Sequence, residues 1–168
     1  PTLTPDYERP IYMIDMQLNY TSKAAVVEQS ITYPNWTGET LTNLVLAVQP
    51  NLWSGGFSIQ SLTVNDLPIT NYTIEPLSQK LEIPLPQPLP SSGTITITMN
   101  YALILPQMQA YSDPNEVRPQ IYGYSDRQIN FVDWYPFIVP YATQGAGKGW
   151  ILHNPWFYGE HLVYDVAD

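Results

Sequence analysis

The chain has no cysteine among its 168 residues, which excludes disulfides, thiol catalysis and cysteine-ligated metal sites. Basic residues are also scarce, since six Lys and Arg stand against fifteen Asp and Glu, for a formal net charge of −9. Binding to phosphate backbones or anionic lipid needs clustered Lys and Arg, so this balance argues against nucleic acid as a partner. No apolar run reaches the length of a membrane span, and no membrane-spanning segment is expected.

The sequence also leaves little room for long helices. Seventeen prolines are scattered at short intervals, and a proline inside a helix costs about 3 kcal/mol. Charged residues make up only 12% of the chain, well below the usual quarter or so. We therefore expect a surface of Thr, Ser, Asn, Gln and Tyr, which favours a secreted or cell-envelope protein of bacteria. Residues 1–10, "PTLTPDYERP", are predicted to be a tether.

Apolar residues recur with a period of two, which indicates strands. The clearest run is "TITITMNY", which places Ile95, Ile97, Met99 and Tyr101 on one face. Three other runs place these sets together: Tyr12, Ile14, Met16, Leu18 and Tyr20; Val27, Ile31 and Tyr33; Leu44, Leu46 and Val48. Shorter strands are predicted at 57–64, 72–75 and 81–83, and a turn at Asn65-Asp66. The fold class predicted is all-β, an antiparallel sandwich or curved, saddle-like sheet.

The character of the sequence changes after residue 105. Residues 106–118 are polar and irregular, which predicts an exposed loop, and aromatics then become more than a quarter of residues 122–164. We predict a single β domain over 11–168, made of a β body at 11–105 and a loop-rich aromatic segment at 106–168.

Two patterns with possible chemistry involve His or a glycine-rich loop. His153 and His161 bracket Glu160, but neither the spacing nor a helix suits zinc, and histidines hydrogen-bonded in an aromatic cluster are favoured. "GAGKG" at 145–149 lacks the Ser or Thr that follows Lys in a phosphate-binding loop, so a flexible loop tip is favoured for Lys148.

Carboxylates and aromatics offer two further interpretations. Asp126, Asp133 and Glu160 lie near aromatics and could serve glycoside hydrolysis if two of them met in a cleft, but solvated surface acids are favoured. Exposed Trp and Tyr on a sandwich could stack on sugar rings, whereas packing under long loops is favoured. A carbohydrate-binding module, a stand-alone glycosidase and an adhesion domain stay open. No catalytic, cofactor-binding or metal-binding residue is predicted in this chain.

The order of motifs along the chain carries a resemblance to a known family. The motifs, in order, are "IYMIDMQLNY", "ITYPNWTGETL", "LTNLVLAVQPN", "SLTVNDLPI", "PLPSSGTITITMNYALILP", "INFVDWYPFIVPYATQGAGKGW" and "EHLVYDVAD". Together, from Tyr12 to Asp168, they resemble the N-terminal β domain of zinc metallopeptidases of the aminopeptidase N-like (gluzincin) family, in particular divergent bacterial members. The WYP, GW and YDVAD elements are its most specific part.

The resemblance implies that this chain and a following domain have different roles. In the family, zinc is held by a His-Glu-x-x-His helix and a more distant Glu of a later thermolysin-like domain, and none of these residues lies in 1–168. The chain is therefore expected to be a non-catalytic domain that supports a zinc aminopeptidase domain and helps to wall off its peptide cleft. It is also expected to be a fragment, truncated before the catalytic domain.

The same resemblance gives residues 133–150 a role. In the relatives this segment crosses from the β body toward the catalytic domain. The candidate residues are predicted to divide between an anchor on the β core and an interdomain surface, and they are Trp134, Tyr135, Trp150, Trp156 and Tyr158.

Overall fold

A computed structural model of the chain describes residues 9–108, 122–145 and 147–152. Within these ranges the chain forms strands and one 3₁₀ turn, Gln49–Leu52, with no α-helix, so the all-β prediction is confirmed. The strands are β1 (Ile11–Asn19), β2 (Ala24–Pro34), β3 (Leu41–Ala47), β4 (Phe57–Val64), β5 (Leu67–Pro68), β6 (Thr73–Ile74), β7 (Lys80–Leu89), β8 (Thr94–Ile104), β9 (Gly123–Tyr124), β10 (Ile129–Asn130), β11 (Phe137–Ile138), β12 (Tyr141–Ala142) and β13 (Gly149–Trp150).

Two antiparallel sheets build the body of the fold. One has five strands in the order β1-β2-β8-β4-β5, and the other has four in the order β11-β3-β7-β6. One core cluster takes buried side chains from β2, β4 and β8 of the first sheet and from β3, β7 and β11 of the second. The sheets are therefore packed face to face as a sandwich. The short pairs β9–β10 and β12–β13 lie outside these sheets.

The central strands follow the period-two pattern closely. β8 alternates along its length, with Ile97, Met99 and Tyr101 fully buried between half-exposed neighbours. It pairs with β2 on one side and with β4 on the other, so its polar face stays on the outside of the sandwich. β4 has the bounds predicted from the sequence.

β1 differs from its prediction at its end. Tyr12, Ile14 and Met16 pack against the core. Leu18 continues their alternation in β1 but is exposed, and Tyr20, predicted to extend the same face, lies beyond the strand and is also exposed. The strand ends at Asn19, and the Lys23 ammonium lies over the Tyr20 ring, 3.4 Å from its centroid.

β7 is longer than predicted. The sequence indicated only residues 81–83, because Pro84, Pro86 and Pro88 follow, whereas the strand continues to Leu89. β6 pairs with β7 only at Leu81 and at the residue after it, so beyond them β3 is the one neighbour of β7 in the part of the chain that the structure describes. A strand with one free side tolerates prolines, which cannot donate to a ladder. The strand predicted at 72–75 is shortened to β6.

Left-handed backbone occurs in several turns, and two of them have recognisable turn types. The predicted turn at Asn65 and Asp66 has positive φ at both residues, as hairpin turns of the I′ type require. In the turn from Glu75 to Ser78, the Ser78 N–H donates to the Glu75 carbonyl at 3.2 Å, and Leu77 has φ 60°. Pro76 before a positive-φ residue is the pattern of a type II turn, where glycine is the preferred third residue.

Replacing Leu77 with glycine is expected to stabilise the chain. Left-handed backbone costs a non-glycine residue about 1–2 kcal/mol, whereas glycine loses about 0.5–1 kcal/mol of chain entropy on folding. The net gain in the free energy of unfolding is therefore up to about 1 kcal/mol, measured by urea denaturation. Leu77→Ala keeps the strain and is the control, expected to show no gain. A loss of stability in Leu77→Gly contradicts the turn assignment.

Candidate interdomain surface

The outer face of the four-stranded sheet is covered at β3. The inner side of this strand places Leu44 and Leu46 in the sandwich core. On its opposite side, Val45 and Ala47 are also buried and join a second cluster. A strand buried on both faces needs a further layer outside the sandwich, and the aromatic segment of the chain supplies it.

This layer begins with β11, which pairs antiparallel with β3. Phe137 lies opposite Ala47 and Ile138 opposite Leu46, and the Val139 N–H donates to the Val45 carbonyl at 3.1 Å. As side chains alternate across a strand, Ile138 enters the sandwich core and Phe137 and Val139 enter the second cluster.

A buried glutamine fixes the approach to β11. Gln29 of β2 is fully buried, and its side-chain amide donates to the Pro136 carbonyl at 2.6 Å. Its amide oxygen accepts a hydrogen bond from the Tyr101 hydroxyl at 2.9 Å. Burial raises the pKa of Tyr101 far above its ordinary value, which keeps this hydroxyl protonated as a donor. We call this pair of bonds the Gln29 clip.

Sequence reasoning did not single out Gln29. The alternation that placed Val27 and Ile31 on the inner face places Gln29 between them, so the signal was a polar residue at a core position. Such a residue needs partners, but the partners lie on β8 and 107 residues away on the aromatic segment. A single sequence does not reveal that pairing.

Tyr12 of β1 joins the two sheets at the same place. Its hydroxyl accepts a hydrogen bond from the Ile138 N–H at 3.1 Å. Its ring meets Tyr135 edge to face, with the centroids 6.0 Å apart. Tyr12 packs against both hydrophobic clusters, so the first strand of one sheet supports the edge strand of the other.

Trp134 and Tyr135 are half-buried and contact different layers. Their rings meet edge to face at 5.5 Å, and Trp134 also meets Phe131 in the same manner. Trp134 packs against the sandwich core, whereas Tyr135 packs against the second cluster.

Trp150 lies over the same sheet from β13. It is half-buried, packs against both clusters, and meets Tyr141 of β12 edge to face at 5.0 Å. Its indole N–H donates to the Asn43 side-chain oxygen at 3.3 Å. Gly145 and Gly149 have φ of 93° and 125°, a region that favours glycine, where the chain turns back toward Trp150.

Lys148 is ion-paired within the protein. Its ammonium lies 2.5 Å from the Glu39 carboxylate, which also accepts a hydrogen bond from the Tyr141 hydroxyl at 3.1 Å. The Lys148 contact holds the pKa of Glu39 below its usual 4.5, and the same pair raises the pKa of Lys148. This arrangement gives Lys148 a role in the turn between β12 and β13.

Two of the five candidate aromatics, Trp156 and Tyr158, lie outside the described residues, as do His153, Glu160 and His161. Asp126 is exposed and Asp133 is half-buried. Across 9–108, 122–145 and 147–152, no three His, Asp or Glu side chains lie close enough to hold a metal ion. In the same ranges no helix is long and apolar enough to cross a membrane.

Removing the Gln29 clip is expected to destabilise the chain and release β11. Gln29→Leu leaves the Pro136 carbonyl and the Tyr101 hydroxyl buried without these partners, which costs about 2–4 kcal/mol of unfolding free energy. Urea denaturation measures the loss, and hydrogen exchange of the Ile138 and Val139 amides measures the release.

Tyr101→Phe is the matched control, because it removes one bond of the clip and keeps the other. It is expected to cost less than Gln29→Leu and to leave β11 protected, and the double variant Q29L/Y101F recovers part of the loss. Unchanged β11 exchange in Gln29→Leu shows that the clip does not hold this strand.

No protein-family profile matches the chain, and no curated protein sequence matches it. Among solved structures, the chain is similar to a mutant M1 zinc metallopeptidase from Deinococcus radiodurans bound to a Tyr-Ser-Ala substrate (19% identity, TM-score 0.46, 63% of this chain and 22% of that one). It is also similar to a two-domain M1 zinc metallopeptidase mutant bound to L-arginine (18%, 0.48, 70% and 25%). A third is Legionella pneumophila aminopeptidase A in complex with aspartic acid (21%, 0.37, 63% and 12%). The chain spans a quarter or less of each of these chains, and at these identities the likeness concerns the fold alone.

Proposed function

We propose that this chain is a non-catalytic β domain that supports the catalytic domain of an aminopeptidase-like zinc metallopeptidase. The ordered motifs from "IYMIDMQLNY" to "EHLVYDVAD" support the family assignment. In this proposal the zinc and the residues that activate water belong to the catalytic domain, where the metal polarises the peptide carbonyl and the attacking water. The sparse charge supports an exported location.

One structural observation is the main argument that this chain supports another domain. The aromatic segment is fixed to the sandwich from below by the Gln29 clip and by β11, while its outer aromatics are only half-buried. Three aromatic side chains are therefore held by the sandwich on one side and are accessible on the other: Trp134, Tyr135 and Trp150. Aromatic side chains with one dry and one accessible side are typical of surfaces that another protein surface covers. We assign that open side to the catalytic domain.

The carbohydrate-binding alternative has no specific support from the four aromatics Trp134, Tyr135, Tyr141 and Trp150. Stacking on a sugar needs an accessible ring face, and a row of sugars needs coplanar rings. Trp134 and Tyr135 meet at an interplanar angle of 76°, and Tyr141 and Trp150 at 82°. These rings pack edge to face on one another and do not form a platform.

The whole gene product tests the family assignment. Reading the coding sequence past the codon for Asp168 is expected to show a His-Glu-x-x-His motif and a later Glu. The purified full-length protein is then expected to contain about one zinc per chain by elemental analysis and to hydrolyse aminoacyl anilides in a chelator-sensitive way. A stop codon, or a glycosidase domain, overturns the proposal. If the full-length protein binds zinc but does not hydrolyse these substrates, the supporting role of this chain stands and only the proposed peptidase activity is overturned.

A pair of exposed isoleucines tests which side faces the catalytic domain. Ile151 adjoins Trp150 and is 46% exposed, whereas Ile104 ends β8 on the other sheet and is 58% exposed. In the full-length protein, Ile151→Glu places a charge in the proposed interface and is expected to lower interdomain stability by about 2 kcal/mol or more. Ile104→Glu is the matched control, expected to have little effect.

The readout is thermal unfolding of each variant as the 168-residue chain and as the full-length protein. The proposed orientation requires that Ile151→Glu lowers the transition temperature only in the full-length protein. If the two substitutions have equal effects in the full-length protein, the face around Ile151 is not the one that contacts the catalytic domain.

A further inference from the structure

The β12–β13 pair depends on few contacts. Each strand has two residues, paired as Tyr141 with Trp150 and Ala142 with Gly149. An isolated two-stranded pair is marginal in water at best. Side chains therefore have to hold this pair to the sandwich. Tyr141 and Trp150 pack against the core cluster, Trp150 also meets the Tyr33 ring of β2 at 6.5 Å, and polar bonds reach β3 and the turn before it.

One carboxylate makes two of the polar contacts. Glu39, which precedes β3, accepts from the Lys148 ammonium with one oxygen and from the Tyr141 hydroxyl with the other. The two donors lie on opposite sides of the turn that joins β12 to β13. A single group therefore ties both arms to the sheet, and we call this arrangement the Glu39 clasp.

Trp150 is coupled to the same arrangement. Its ring packs edge to face on Tyr141, and its indole N–H reaches Asn43 at 3.3 Å, near the long end of hydrogen-bond distances. If Tyr141 and Lys148 leave the sheet, Trp150 keeps this weak bond and its packing on Tyr33 and the two clusters. Opening of the clasp therefore weakens the attachment of Trp150 without removing it.

We propose that the Glu39 clasp is an acid-sensitive switch, which holds Trp150 on the outer face of the four-stranded sheet when Glu39 is ionised and loosens it when Glu39 is protonated. The device belongs to this chain and does not rest on the proposed function. Its consequence there is that acid loosens one end of the candidate interdomain surface.

The groups around the clasp set the direction of the effect. Lys148 and Tyr141 are the titratable groups that lower the pKa of Glu39 by contact. A second carboxylate reaches the site through Asn43, which accepts from Trp150 and donates to Glu82, and Glu82 is itself paired with Lys80. Glu82 therefore has to be separated from Glu39 in any pH titration.

The sign follows from the lowered pKa of Glu39. A carboxyl whose pKa is lower in the folded state contributes stability that is present above its ordinary value of 4.5 and is lost as the pH falls through the lowered value. Lys148, with a raised pKa, contributes below its ordinary 10.5 and loses its contribution at more alkaline pH. The clasp is therefore closed at neutral pH and opens on the acid side.

The test follows the Trp150 indole N–H and the Gly149, Trp150 and Ile151 amides by NMR hydrogen exchange in the 168-residue chain. Between about pH 6.5 and about pH 3.5, protection corrected for intrinsic exchange is expected to fall about two- to fivefold, the range for a solvent-accessible ion pair. Amides of β2 and β8 are expected to keep their protection and report the intact sandwich.

Four variants identify the group responsible. Glu39→Gln is expected to show the lower protection already at neutral pH and no further fall in acid, and Lys148→Met is expected to do the same with the carboxylate present. Glu82→Gln tests the second carboxylate, and Glu28→Gln on the other sheet is the control. Both are expected to keep the wild-type pH dependence.

A different pattern overturns the switch. If Glu39→Gln retains the acid-induced fall and Glu82→Gln abolishes it, the titrating group is Glu82 acting through Asn43. If protection of Trp150 is independent of pH in the wild-type chain, ring packing alone holds the β12–β13 pair and the clasp has no switching role.

Discussion

The amide of Gln29 is the contact on which the arrangement of the aromatic segment depends. It lies in the sandwich core between Val27 and Ile31, where a polar group without partners is costly. Among the described residues, the Tyr101 hydroxyl and the Pro136 carbonyl satisfy it. The Pro136 carbonyl lies directly before β11. The need to pair the buried Gln29 amide therefore also determines where β11 joins the four-stranded sheet. We infer that this core polar group helps to specify the tertiary structure.

From that point the second layer follows by packing. Once β11 lies beside β3, Phe137 and Val139 cover Val45 on the outer face of the sheet. Tyr12 closes the gap between the sheets by bonding the Ile138 N–H. Trp150 then completes the cover from a separate pair of short strands. The candidate surface is therefore attached at β11, at Tyr12 and at Trp150. Its aromatic rings are positioned before any partner is bound, which reduces the entropy lost in forming an interface.

Strands could be predicted from the sequence where the alternation of apolar residues alone determines them. β8 could be predicted from strict alternation, and β4 from alternation between turn signals, because each lies inside a sheet with one polar face. Only residues 81–83 of β7 could be predicted, because the tolerance of its later prolines depends on how short its neighbour β6 is. Gln29 was visible only as an interruption of an apolar face, since its partner Pro136 is distant in sequence. The candidate aromatics were found through family resemblance and composition, while their division between two layers is a property of the fold.

The two ends of the aromatic segment are held by different chemistry. At Pro136 the bonds are buried and involve an amide, a carbonyl and a hydroxyl that stays protonated because burial raises its pKa. At Lys148 the bond is ionic, accessible to water and dependent on the charge of Glu39. Water and salt weaken the second kind of bond and hardly affect the first. A change in pH or ionic strength therefore acts on β12 and β13 while β11 keeps its place, so one end of the segment is adjustable and the other is a fixed support.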